Sequence, residues 1–134
     1  MKKYLLILLG LFSTTAFAAI DCSSYGGGDY VCYEQHQKRL AAQLNKLGKE
    51  LERLDKPTAK YFYIAQKDWK KFVESNCQYK SEPARDSLGS GHYRVKTKCI
   101  ATMYEERFNE VNKNVQWHKK RQEDMYKENM QKNK

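Results

Sequence analysis

The sequence lacks the residue patterns that indicate a catalytic or a metal centre. Its four cysteines include no Cys-x2-Cys pair, and its three histidines, at positions 36, 92 and 118, do not have the spacing of zinc ligands. It contains no Ser-His-acid order, no His-Glu-x2-His motif and no activated Cys-His element. We therefore expect that the protein is not an enzyme and that it holds no metal or other cofactor.

The chain also lacks an apolar run long enough to cross a bilayer. Its apolar stretch at residues 4–12 follows Lys2 and Lys3 and precedes Ala16-Phe17-Ala18, which is the pattern of a cleaved secretory signal. We predict a signal peptide at residues 1–18, a periplasmic or secreted protein, and no membrane span after cleavage. An uncleaved membrane anchor is the alternative.

Cys22, Cys32, Cys77 and Cys99 all lie beyond the predicted cleavage site. An even number of cysteines in a small exported domain predicts disulfide bonds, here two. Three pairings are possible, and we favour Cys22–Cys32 with Cys77–Cys99. The crossed pairings stay open.

Acidic residues are too few to balance the basic ones. The formal net charge of +9 falls to +7 when Lys2 and Lys3 leave with the signal peptide. A basic exported domain suits an anionic partner, such as an acidic protein, an envelope polymer or a carboxylate-lined cleft, although solvated lysines alone also explain the charge. Because the protein is exported, nucleic acid is not expected as its physiological partner.

The apolar pattern predicts an all-α fold. Leu40, Leu44, Leu47, Leu51 and Leu54 form a heptad seam in a first helix at residues 30–54. We expect this seam to pack within a bundle, with a coiled-coil dimer as the alternative. Gly48 interrupts the helix and would allow close packing.

Two further helices complete the predicted bundle. Pro57 ends the first helix, and the second follows at about residues 59–79 with Trp69 and Phe72 on its apolar face. The third runs from about residue 96 to 115, with Arg107 on its inner side. Residues 92–98 alternate in polarity and fit either a short strand or the first turns of this helix.

The predicted architecture is a small disulfide-stapled three-helix bundle with up-down-up topology. A long loop rich in turn-forming residues, 81–91, connects helices two and three. The domain spans residues 19–115, and residues 116–134 form a basic polar helical extension that frays. Trp117 is the one large aromatic residue near the start of this extension. We expect it to dock on the bundle, with partner contact or dimerisation as alternatives.

A spaced motif runs through these elements: Cys22-x9-Cys32, Leu44-Asn45, Gln66-x2-Trp69-x2-Phe72-x4-Cys77, Gly89-Ser90 and Cys99-x7-Arg107. It resembles the LprI-type lysozyme-inhibitor domain over about residues 21–111. The resemblance implies a small exported helical bacterial domain. Gly48, Val73 and Tyr104 stand where that family usually has Tyr, Arg and Thr.

The resemblance implies an inhibitor that binds and blocks the cleft of a lysozyme or another cell-wall-degrading enzyme. Muramidase clefts carry two catalytic carboxylates, which a polar or basic segment can approach. The segment at residues 87–98 is the candidate, and its predicted partner-binding residues are Ser90, His92, Tyr93, Arg94 and Lys96. The predicted structural core includes Leu44, Trp69, Phe72 and Arg107.

Two other functions remain open at this stage. An immunity-like interaction protein would bind an acidic wall-degrading toxin, which suits the charge of +7 better than a basic animal lysozyme does. A binding module for anionic envelope components would use the pairs and clusters of basic residues with nearby aromatic rings. These residues are Lys70, Lys71, Lys96, Lys98, Lys119, Lys120, Arg121, Tyr61, Tyr63 and Trp117.

Overall fold

The computed structural model describes residues 21–85 and 91–132, and this part of the chain is helical without a strand. The long helices are α1 (Asp29–Leu54), α2 (Lys56–Ser81) and α3 (Gly91–Lys132). Two short 3-10 helices, Ser23–Gly28 and Glu82–Ala84, precede α1 and follow α2. The all-α prediction is confirmed. The predicted signal peptide lies outside the described residues.

The heptad seam of α1 forms one side of the core. Leu40, Leu44, Leu47 and Leu51 are buried, as the spacing predicted, against apolar residues of the other helices. The seam is therefore covered by the chain's own helices. The α3 stripe that packs in the same cluster consists of Ile100, Tyr104, Phe108, Val111 and Val115.

A single residue, Asp55, separates α1 from α2. Its Oδ1 accepts a hydrogen bond from the backbone N–H of Thr58 at 3.0 Å, and Pro57 lies in the first turn of α2, where its missing N–H costs nothing. This N-cap lowers the pKa of Asp55 below its ordinary value. The predicted break is confirmed, and α2 begins at Lys56, three residues earlier than expected.

The third helix begins earlier than predicted and continues without a break through the predicted helical extension. It begins at Gly91, so residues 92–98 form the first turns of α3 and not a short strand. It continues to Lys132, although every residue from Arg121 to Lys132 is exposed. At the other side of the predicted loop, Ser81 belongs to α2 and Glu82–Ala84 form a 3-10 helix.

Both favoured disulfides are present. Cys22 is bonded to Cys32, with the Cα atoms 5.8 Å apart, and Cys77 to Cys99, with the Cα atoms 5.6 Å apart. The first bond fastens the chain before α1 to the first turn of that helix. The second joins the end of α2 to the start of α3. In the described part of the chain, no helix has the length and apolar character needed to cross a membrane.

Candidate partner-binding surface

The predicted partner-binding residues lie in the first two turns of α3, except for Ser90, which is outside the described residues. His92 Nε2 lies 3.1 Å from Ser81 Oγ and 3.3 Å from Gln78 Nε2. The Tyr93 hydroxyl donates a hydrogen bond to Glu34 Oε1, which raises the pKa of that hydroxyl. These contacts attach the start of α3 to the other two helices.

Arg94 and Lys96 are also engaged within the chain. Arg94 donates from Nε and Nη2 to the two carboxylate oxygens of Asp29, at 2.7 and 2.9 Å. This fork lowers the pKa of Asp29, because hydrogen bonds from a cation favour the ionised carboxylate. Lys96 Nζ lies 2.5 Å from Glu74 Oε1. Partner binding by this segment stays a prediction, and the structure adds that its side chains also connect the helices.

Three residues of the spaced motif, Gln66, Trp69 and Arg107, form one contact cluster between α2 and α3. Arg107 donates from Nε to Gln66 Oε1 at 3.1 Å and from Nη1 to Glu110 Oε2 at 2.9 Å. Its guanidinium carbon lies 5.8 Å from the ring centroid of Trp69, which packs edge-on against Tyr104. The motif therefore holds the two helices together.

The two acidic residues of α2 contact lysines. Asp68 lies 3.7 Å from Lys71 on its own helix, and Glu74 contacts Lys96. A helix advances about 100° per residue, so Gln66 faces α3 while Asp68, two positions later, points away.

The prediction that Phe72 belongs to the core is wrong, because this residue is 56% exposed. Val73 takes the buried position beside it, since adjacent helical residues point in different directions. Leu44 is buried as predicted, and Trp69 is partly buried against the core. Of the two aromatic residues in this motif, Phe72 thus lies on the surface.

Phe72 belongs to an apolar stripe on the side of α2 that faces away from the core. Its other members are Tyr61, which is 69% exposed, Tyr79, which is 76% exposed, and Ile64, also exposed. At 100° per residue these four side chains fall within about 80° of arc, which also includes the exposed polar residues Asp68 and Ser75. We call this stripe the α2 outer face. Its signal in the sequence was the spacing of these four residues by three, eight and seven positions, which places them on one side of α2 away from Trp69.

A row of lysines runs along one edge of the α2 outer face. Lys60, Lys67 and Lys71 are exposed and lie within about 40° of arc on one side of the stripe. Gln78 continues this row and contacts His92. We call the three lysines the lysine flank. The α2 outer face thereby adjoins the first turn of α3, where the predicted partner-binding segment lies.

An open groove of about 970 Å³ lies between α2 and α3. Phe62, Ala65 and Val111 supply apolar wall, while Arg107 and Glu110 pair with each other across one turn. Next to them, Nε2 of the buried Gln66 has no hydrogen-bond partner. The charge of Arg107 is therefore balanced within the groove by Glu110.

Each histidine lies near a carboxylate. His36 is 3.7 Å from Glu105, His118 is 3.6 Å from Asp55, and His92 is 4.0 Å from Glu82. Among residues 21–85 and 91–132, no three metal-ligating side chains come together. These pairs connect α3 to the other elements.

Trp117 was expected to dock on the bundle, and it does not. Its side chain is 54% exposed, and Arg121 of the next turn lies over its ring at 5.4 Å from the centroid. The neighbouring His118 and Lys119 make the contacts with the bundle, to Asp55 at 3.6 Å and to Glu50 at 2.6 Å.

The sequence matches the model of a known protein family. Neither the curated proteins nor the solved structures include a match to this chain. The family model described as "Lysozyme inhibitor LprI" matches residues 22–111, which include both disulfides and the Gln66–Trp69–Arg107 cluster. The chain therefore belongs to the LprI lysozyme inhibitor family.

Proposed function

We propose that this protein inhibits a lysozyme or another cell-wall-degrading enzyme by binding over its catalytic cleft. The observation that carries the proposal is the family match over residues 22–111. The matched region coincides with the disulfide-stapled part of the bundle. A protein held rigid before binding loses less conformational entropy when it forms a complex, which favours tight inhibition.

The proposed scaffold is an up-down-up bundle. The Arg94–Asp29 pair joins the first turn of α3 to the first turn of α1, and the His118–Asp55 pair joins α3 to the end of α1. These two pairs support α1 and α3 running in the same direction. The start of α3 then lies at the pole with the disulfides, where His92 and Lys96 are proposed to contact the enzyme. Ser90 stays a predicted contact residue outside the described part of the chain.

The two disulfides and the family indicate a protein outside the cytoplasm. We propose the periplasm or the medium as its location, with residues 1–18 as the cleaved signal. Charge influences which enzyme it meets. With a net charge of +7 after cleavage, association with a basic lysozyme would be slowed at low salt, whereas an acidic muramidase would be attracted.

The test is peptidoglycan lysis by a basic animal lysozyme and by an acidic bacterial muramidase, with increasing amounts of the mature protein. We expect stoichiometric inhibition of at least one enzyme that persists at physiological salt. A soluble N-acetylglucosamine oligomer that occupies the cleft should compete with the inhibitor. The matched control is the same protein reduced and alkylated.

Failure to inhibit any of the enzymes at a large molar excess would reject the proposed function. Inhibition that the oligosaccharide does not weaken would reject binding over the cleft while leaving inhibition in place.

A further inference from the structure

The α2 outer face is an exposed apolar surface that the fold does not use. Tyr61 and Tyr79 at its two ends are 18 positions apart, which is about 27 Å along the helix. All four apolar side chains are exposed on a helix whose inner side is well packed. Exposed aromatic rings grouped on one rigid element are typical of protein-binding surfaces.

We infer that the α2 outer face contacts the muramidase, with its aromatic rings in the sugar-binding cleft and the lysine flank beside the cleft's carboxylates. This inference rests on the proposed function and assigns it a contact surface. Aromatic side chains supply large rigid contact area, and lysines complement the pair of acids that muramidases carry. Lys60 and Lys67 give this edge of the face a positive charge that suits an acidic contact, whereas the charge of Lys71 is partly balanced by Asp68 at 3.7 Å.

Charge argues against a second copy of the chain as the occupant of this surface. Within Lys56–Ser81 there are six lysines but only two acidic residues, Asp68 and Glu74. Glu74 is already paired with Lys96, and Asp68 lies 3.7 Å from Lys71. Two copies packed through this face would bring like charges together, which opposes association.

The location of the α2 outer face also supports the muramidase as its partner. Gln78 and Glu74 of α2 contact His92 and Lys96 of α3, so the α2 outer face and the predicted partner-binding segment are neighbours. One enzyme can therefore contact both. A standard interface covers about 800 Å² on each partner, and two neighbouring surfaces reach that extent more readily than a single short segment does.

The experiment compares two double variants in the lysis assay and by calorimetric titration with the inhibited enzyme. Phe72→Ser with Tyr79→Ser removes two rings from the α2 outer face. Met125→Ser with Tyr126→Ser is the matched control, because it removes exposed apolar side chains outside the family match. We expect the first variant to bind about 10-fold or more weakly, and the control to bind as the wild type does.

A charge-matched pair of variants tests the lysine flank. Replacing Lys60, Lys67 and Lys71 by Gln should slow association and flatten its salt dependence. Replacing Lys120, Lys127 and Lys132 by Gln removes the same charge from the end of α3 and should have a much smaller effect. Thermal melts check that all variants are folded, as expected for exposed positions.

The outcomes separate the inference from the function. If the wild type inhibits and the Phe72/Tyr79 variant inhibits equally well, the α2 outer face is not the contact surface. If that variant instead abolishes a dimer without changing inhibition, the occupant is a second copy and the inference is wrong. If the wild type inhibits no enzyme, the proposed function fails and this inference fails with it.

Discussion

Arg107 Nε donates a hydrogen bond to Oε1 of Gln66 at 3.1 Å, across the contact between α3 and α2. Gln66 is buried and its Nε2 has no partner, so the Arg107 bond is the one that satisfies its side chain. The guanidinium also lies over Trp69. The presence of Gln66, Trp69 and Arg107 in the spaced motif is therefore explained by the packing of these two helices.

Arg107→Ala should destabilise the fold by about 2 kcal/mol, because it leaves both polar atoms of the Gln66 side chain buried and unpaired. Urea denaturation followed by circular dichroism measures the change. Arg39→Ala, at an exposed position of α1, is the control and should stay within about 0.5 kcal/mol. Equal stability of the two variants would contradict the role assigned to Arg107.

Gly48→Ala should destabilise the bundle although alanine favours helix by about 1 kcal/mol. A Cβ at Gly48 would lie 2.7 Å from Cε1 of Phe62 and 3.1 Å from Cε1 of Tyr63, so α2 or its rings must move. Such overpacking costs about 1–3 kcal/mol. Thermal denaturation checks this, and combining the change with Phe62→Leu should recover much of the loss. A more stable single variant would show that the rings move freely.

Stability should fall in acid partly because of Asp29. Its pKa is lowered by the hydrogen bonds from Arg94, so the folded state favours the ionised carboxylate. This contribution is present above the unfolded pKa of about 3.9 and is lost as the pH falls through the lower folded value. Urea midpoints from pH 6 to pH 2 should therefore converge for the wild type and Asp29→Asn. Arg94→Gln should show the same convergence, and parallel curves would contradict it.

Lys96→Gln and Glu74→Gln break the same ion pair, which makes them a matched test of the predicted partner-binding segment. Both should change stability little, since surface pairs contribute about 0–1 kcal/mol. If Lys96 contacts an acidic cleft, only Lys96→Gln weakens inhibition in the lysis assay. Equal inhibition by both variants would remove Lys96 from the contact surface.

A chain that ends at Lys120 should be as stable as the full chain, whereas one that ends at Val115 should lose about 1 kcal/mol. The shorter chain lacks His118 and Lys119, whose pairs with Asp55 and Glu50 attach α3 to the α1–α2 junction. Thermal melts of the two truncated chains provide the comparison. Equal melting temperatures would place the domain boundary at residue 115, as the sequence predicted.

Local patterns in the amino-acid sequence were sufficient to predict the three helices, the break at Pro57 and the heptad seam, because these depend on periodicity and backbone chemistry. Leu40, Leu44 and Leu51 are buried as that pattern requires. The favoured disulfide pairing also agrees with the structure, since a short connection and a single loop bring those cysteines together.

Tertiary structure decided what local pattern leaves ambiguous. Helix α2 has apolar residues on two sides, and only its packing against α1 and α3 shows that Val73 is buried while Phe72 is exposed. Likewise the ion pairs Arg94–Asp29 and Lys96–Glu74 join residues far apart in sequence. Periodicity describes the faces of one helix, whereas the burial of a face depends on which helices lie against it.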